Sequence, residues 1–71
     1  MNIYGNLNTN KGDLTIRIVD VLGKVQLQST HQLSQNEFTV SENLGALSSG
    51  NYFVQVSLNN ELIGVQKISK L

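Results

Sequence analysis

Apolar and polar residues alternate with a period of two in one short run after another, and no stretch of the chain keeps the 3.6-residue period of a helix. Leu14-Thr15-Ile16-Arg17-Ile18 is such a run, rich in β-branched side chains, and its pattern is that of a strand with one face on a core. Val25-Gln26-Leu27-Gln28 and Glu37-Phe38-Thr39-Val40-Ser41 repeat it. Tyr52–Leu58 sends Tyr52, Val54, Val56 and Leu58 to one side. Ile3–Leu7 reads as a weaker first strand, because Gly5 lowers its strand preference, and Glu61–Ile68 as a last one.

Turn signals separate these runs: Asn10-Lys11-Gly12-Asp13, Asp20-Val21-Leu22-Gly23, Ser48-Ser49-Gly50-Asn51 and Asn59-Asn60. Each places Gly or Asn where φ can be positive, so the spacing implies hairpins. Asn59-Asn60 is a two-residue connection, a weaker hairpin signal than Asn-Gly. The fold class that follows is all-β, an immunoglobulin-like antiparallel β-sandwich of about six to seven short strands. Such sandwiches usually take ~100 residues, so a chain of this size is minimal or lacks an edge strand.

At 71 residues the chain makes one domain, 1–71, with a thin core: a domain of this size buries only about 60% of the surface its unfolded form exposes. An apolar fraction of 39% argues against disorder, and no apolar run approaches the roughly 20 residues of a membrane-spanning helix. Five basic residues balance five acidic ones, which leaves no dense positive face for nucleic acid or anionic lipid. The absence of cysteine removes disulfides, thiolate metal sites and thiol nucleophiles, and leaves the compartment open. The first residues, Met1 to Asn6, lack the basic start and apolar centre of a signal peptide, so secretion would need a leader from a longer protein.

Residues that might carry chemistry are few. Asn6, Asn8 and Asn10 ahead of Gly12 approach the spacing of a calcium loop, but amides replace the carboxylates, the glycine is one place late, and Arg17 stands where the bidentate glutamate belongs. His31 is the single histidine, and no pattern brings a serine and Asp20 or Asp13 to it; it reads as a solvated loop residue. No catalytic residue, cofactor site or metal site is expected, and the chain does not read as an enzyme.

More specific is Leu47-Ser48-Ser49-Gly50-Asn51-Tyr52, a glycine turn with a tyrosine opening the next strand. This is the pattern of a tyrosine corner, in which the ring packs inside and the hydroxyl bonds a backbone group slightly upstream. Asp20-Val21-Leu22-Gly23-Lys24 is a hairpin turn in which Asp20 accepts backbone N–H bonds and Gly23 turns left-handed. Lys67 and Lys70 put two of the five basic residues in the last five positions; charge alone explains them as solubilising an edge strand.

Taken in order, Leu14 to Val25, Leu47 to Val56 and Lys67 to Lys70 resemble the C-terminal sorting domain of the bacterial type IX secretion system. The family shows a strand ending in Asp-x-x-Gly-Lys, a Leu-x-x-Gly-x-Tyr motif, and a last strand closing with lysine. Asp20, Gly23, Lys24, Gly50, Tyr52, Lys67 and Lys70 stand at those motif positions. Members usually begin with a Pro-x-Asn-Pro-like segment and a first strand. This chain has no proline, which points to a trimmed or variant domain with an open sheet edge.

The resemblance implies a non-catalytic address label at the C-terminus of a larger secreted protein. Such a label crosses the periplasm folded and is recognised by the outer-membrane secretion machinery. A sortase-like peptidase then removes it as the cargo reaches the cell surface. Glu61–Ile68, as an exposed edge, suits recognition by strand addition and predicts homodimerisation through the same edge. The competing reading is an immunoglobulin- or fibronectin-like module that binds protein or carbohydrate, weakened by a supply of only four aromatic rings: Tyr4, Phe38, Tyr52 and Phe53.

Overall fold

The computed structural model describes residues 1–9 and 11–71. Six strands follow one another: β1 (Asn2–Asn6), β2 (Asp13–Asp20), β3 (Val25–Gln32), β4 (Glu37–Ser41), β5 (Gly50–Leu58) and β6 (Glu61–Lys70). They form two antiparallel sheets, a four-stranded one in the order β3-β2-β5-β6 and a two-stranded one pairing β1 with β4. The described residues contain no helix.

Strand β2 is central because its alternation is the most apolar in the chain. Leu14, Ile16 and Ile18 are 0–1% exposed and form, with Tyr52 and Val54 of β5, the large sheet's share of the core. Val40 of β4 joins them from the small sheet, with Ile3 and Phe38 packed alongside. Each fully buried aliphatic side chain contributes up to about 1.5–3 kcal/mol, so these few residues carry most of the stabilisation available to so small a domain. Gly5, expected to weaken β1, lies directly across from Phe38, whose ring covers it so closely that an added Cβ would sit 3.0 Å from the ring edge. The aromatic ring supplies the packing that the glycine lacks.

Two of the expected turns are hairpins within the large sheet. Asn59 (φ 51°) and Asn60 (φ 69°) both take positive φ between Leu58 and its partner Glu61, the geometry of a type I′ turn. The β2–β3 hairpin closes through Asp20 to Lys24. The remaining connections pass between sheets instead, so β2 pairs with β5, far along the chain.

Strand β3 runs to Gln32, four residues past the end expected from its alternation. Ser29 and His31 occupy inward positions there, opposite Ile16 and Leu14, so the apolar signal stops while the strand continues. His31 is therefore an exposed strand residue and not a loop residue. Asn10, part of the turn and of the calcium-like spacing considered above, lies outside the described residues.

Candidate functional site

The Asp-x-x-Gly-Lys segment closes the β2–β3 hairpin through backbone groups. Asp20 Oδ1 accepts the N–H groups of Leu22 and Lys24, each at 2.9 Å, while Oδ2 accepts from the Gln26 side-chain amide at 3.0 Å. The Asp20 backbone completes the turn, with its N–H bonded to the Lys24 carbonyl and its carbonyl to the Gly23 N–H. The Lys24 N–H bond holds the Asp20 carboxyl below its ordinary pKa, reinforced by Gln26 and Leu22 and by the Lys24 charge, against a desolvation that pulls the other way. Gly23 sits at φ +86°, which a side chain would strain. What remains exposed is the tip, where Leu22 is 91% accessible.

At the same end of the large sheet, on β5, Tyr52 pairs in register with Asp20; its ring is buried and its hydroxyl donates to the Ser48 carbonyl at 2.6 Å. The hydroxyl is thereby satisfied inside the fold, and the loop ahead of β5 is tied down four residues upstream. Gly50, at φ +152°, lets the chain turn from that loop into the strand. Both motif residues act as the tyrosine-corner pattern predicts.

Lys70 does more than solubilise an edge. Its register partner is Gly50, on the side of β6 that also carries Ile68 inward, and its ammonium donates to the carbonyls of Leu44 (2.7 Å), Leu47 (2.5 Å) and Gly45 (3.3 Å). An ammonium has three donors and no acceptor, so this loop takes its full complement. The loop is preshaped for it: Asn43 Oδ1 accepts the Gly45 N–H at 2.9 Å, and the Leu47 N–H bonds the Leu44 carbonyl at 3.0 Å. Sequence reading missed these carbonyl receptors, although Asn43 two residues before Gly45 is an Asx-turn signal. Lys67, an odd number of residues away along the strand, points to the opposite face beside Phe53 and is exposed. The two lysines of the terminal motif are thus in different environments.

One constellation was not expected. Ser29 Oγ donates to Glu42 Oε1 at 2.5 Å, and His31 Nε2 lies 2.9 Å from the same Oγ. A serine nucleophile needs its proton taken by histidine, with the acid on the far ring nitrogen. Here the Ser29 hydroxyl donates its hydrogen bond to the carboxylate and not to the imidazole, so the array is a polar tie from β3 to the residue that follows β4. Among the described residues no group of three or more His, Cys, Asp or Glu side chains could hold a metal ion. Of the four aromatic rings, Tyr52 is buried, Phe38 and Phe53 are half-buried, and Tyr4 alone is exposed, at 77%. One ring makes a poor stacking platform for a sugar.

No curated protein and no solved structure matches the chain. The family model described as the secretion system C-terminal sorting domain matches residues 1–70, which takes in the hairpin turn, the tyrosine corner and both terminal lysines. The chain therefore belongs to the C-terminal sorting domains of type IX secretion, a family not known for catalysis whose members mark a larger protein for export to the cell surface or beyond.

Proposed function

We propose that the sorting signal is divided between residues that build its shape and residues that the secretion machinery reads. Asp20, Gly23, Gly50, Tyr52 and Lys70 belong to the first group, and Lys67, with the exposed Lys24, to the second. The observation that carries this reading is the opposed orientation of the terminal lysines: Lys70 is spent on three carbonyls, whereas Lys67 stands on the outer face of β6. A receptor meets Lys67 and does not meet the Lys70 ammonium.

The reading extends to the route and the partners. The domain, a single immunoglobulin-like unit, passes the periplasm folded, is bound by the outer-membrane machinery and is removed by a sortase-like peptidase at the surface. Strand β6 is an edge with Leu62, Ile63 and Val65 each 44–54% exposed, which supports strand addition and pairing of two copies through the same edge.

The test is a reporter carrying a signal peptide and this domain at its C-terminus, expressed in a bacterium with type IX secretion. Lys67→Met should lower surface display while the purified domain melts as the unmodified one does. Full display of the Lys67→Met fusion would overturn the division of roles, and periplasmic retention of the intact, folded fusion would overturn the route.

A further inference from the structure

The two sheets are unequal, and the small one leaves part of the large one's inner face uncovered. A groove of about 960 Å³ lies there. Its lining distinguishes floor from wall. From β5 it takes only the inward Val54, Val56 and Leu58, so the space lies above that face, at the level of the small sheet. From β6 it takes the inward Gly64 and the outward Val65, so the free edge of β6 forms its rim, and from β1 it takes the inward Ile3 with the outward Asn2 and Tyr4, which places a strand edge there as its wall. That wall is the edge β1 does not use, since β4 occupies the other.

The groove thus offers an apolar floor and, along one wall, the β1 edge that pairs with no other strand among the described residues. Its electrostatics narrow the occupant further: the chain has ten acidic and basic residues, yet no lining residue carries a charged side chain. We propose that the groove receives an extended, uncharged segment of a partner polypeptide, which adds to the free edge of β1 as a third strand of the small sheet and sets alternate apolar side chains on Val54 and Val56. Main-chain bonds to β1 supply affinity, and the neutral floor rejects charged inward side chains, whose desolvation nothing there would offset. A lipid chain would use the floor and waste the edge. The inference rests on the groove alone and is independent of how Lys67 is read.

Gly64 provides the means to test it. It faces inward opposite Val56 in the groove lining, and a Cβ built there meets nothing within 4 Å. The methyl of Gly64→Ala therefore has room there, and Gly64→Leu reaches further into the groove. The probe is a terminally blocked peptide of about six residues alternating valine and threonine, a usual strand length, titrated into the isotope-labelled full chain and followed by amide NMR shifts. Expected are shifts at Ile3 to Leu7 and at Val54 and Val56, with affinity about tenfold or more weaker in Gly64→Leu and intermediate in Gly64→Ala. Any of four results would overturn the proposal. They are shifts confined to β6, no shift at millimolar peptide, equal binding of a peptide with aspartate at the inward positions, or self-association of the chain that Gly64→Leu abolishes. The last would make a second copy the occupant. If Gly64→Leu fails to fold, Gly64→Ala decides, and undiminished binding there together with shifts away from β1 has the same overturning force.

Discussion

Replacing Lys70 by methionine removes an ammonium and keeps most of the stem that lies along the strand. The magnitude follows from the three carbonyls left behind. Gly45 O is exposed and turns to water at little cost, and Leu44 O keeps the Leu47 N–H as a partner. The Leu47 contact is part-buried and belongs to a core residue, so its carbonyl loses a charge-assisted donor in a place water reaches poorly. Hydrogen bonds to charged groups are worth about 1.5–3 kcal/mol, and an unsatisfied part-buried carbonyl costs about 1–3 kcal/mol, two descriptions of largely the same loss. Since Lys70 is itself only half-buried, the expected destabilisation is about 2 kcal/mol. In a domain this small that corresponds to a fall in Tm of about 8–16 °C. Thermal unfolding followed by far-UV circular dichroism measures it, with Lys67→Met as the matched control, expected within about 0.5 kcal/mol of the unmodified chain as an exposed substitution. Equal, small effects of the two substitutions would show that the loop does not depend on the Lys70 ammonium, and the structural role assigned to it would fall.

Tyr52→Phe keeps the buried ring and removes only the bond to Ser48, so a loss of about 1 kcal/mol is expected in chemical denaturation, with the midpoint lowered and the slope unchanged. Loss of folding altogether would mean that the corner does more than close its loop. For Asp20 the sign is set by a folded pKa below the unfolded value of ~3.9: its contribution is present above that value and disappears as pH falls through the lower folded pKa. The Tm advantage of the unmodified chain over Asp20→Asn should accordingly be constant near neutrality and shrink on acidification below about pH 4. An advantage that grows with acid would contradict the assignment. Pairing of two copies through β6 predicts a concentration-dependent dimer that Val65→Lys disperses; a monomer at high concentration by light scattering would rule it out.

The strands were legible wherever inward positions are apolar. Leu14, Ile16 and Ile18, and Tyr52, Val54 and Val56, mark their faces by alternation alone, and the chemistry of Asp20, Gly23, Asn59 and Asn60 marks the turns, because both signals depend on residues close in the chain. The tyrosine corner was legible for the same reason, its hydroxyl reaching only to Ser48. The second half of β3 was not, since Ser29 bonds Glu42 across the sheets and His31 bonds Ser29, and that distant carboxylate anchors the polar residues on an inward face.

Local sequence therefore determined that the chain is β throughout, where it turns and which motif it carries. The tertiary structure decided which strands are neighbours, that the small sheet leaves a groove beside β1, and that two lysines three residues apart do different things. The physical reason is range: a strand's pleat sends Lys67 and Lys70 to opposite faces whatever surrounds them, but only the folding of the loop at Leu44 to Leu47 against the end of β6 gives one of those faces three carbonyls to bind.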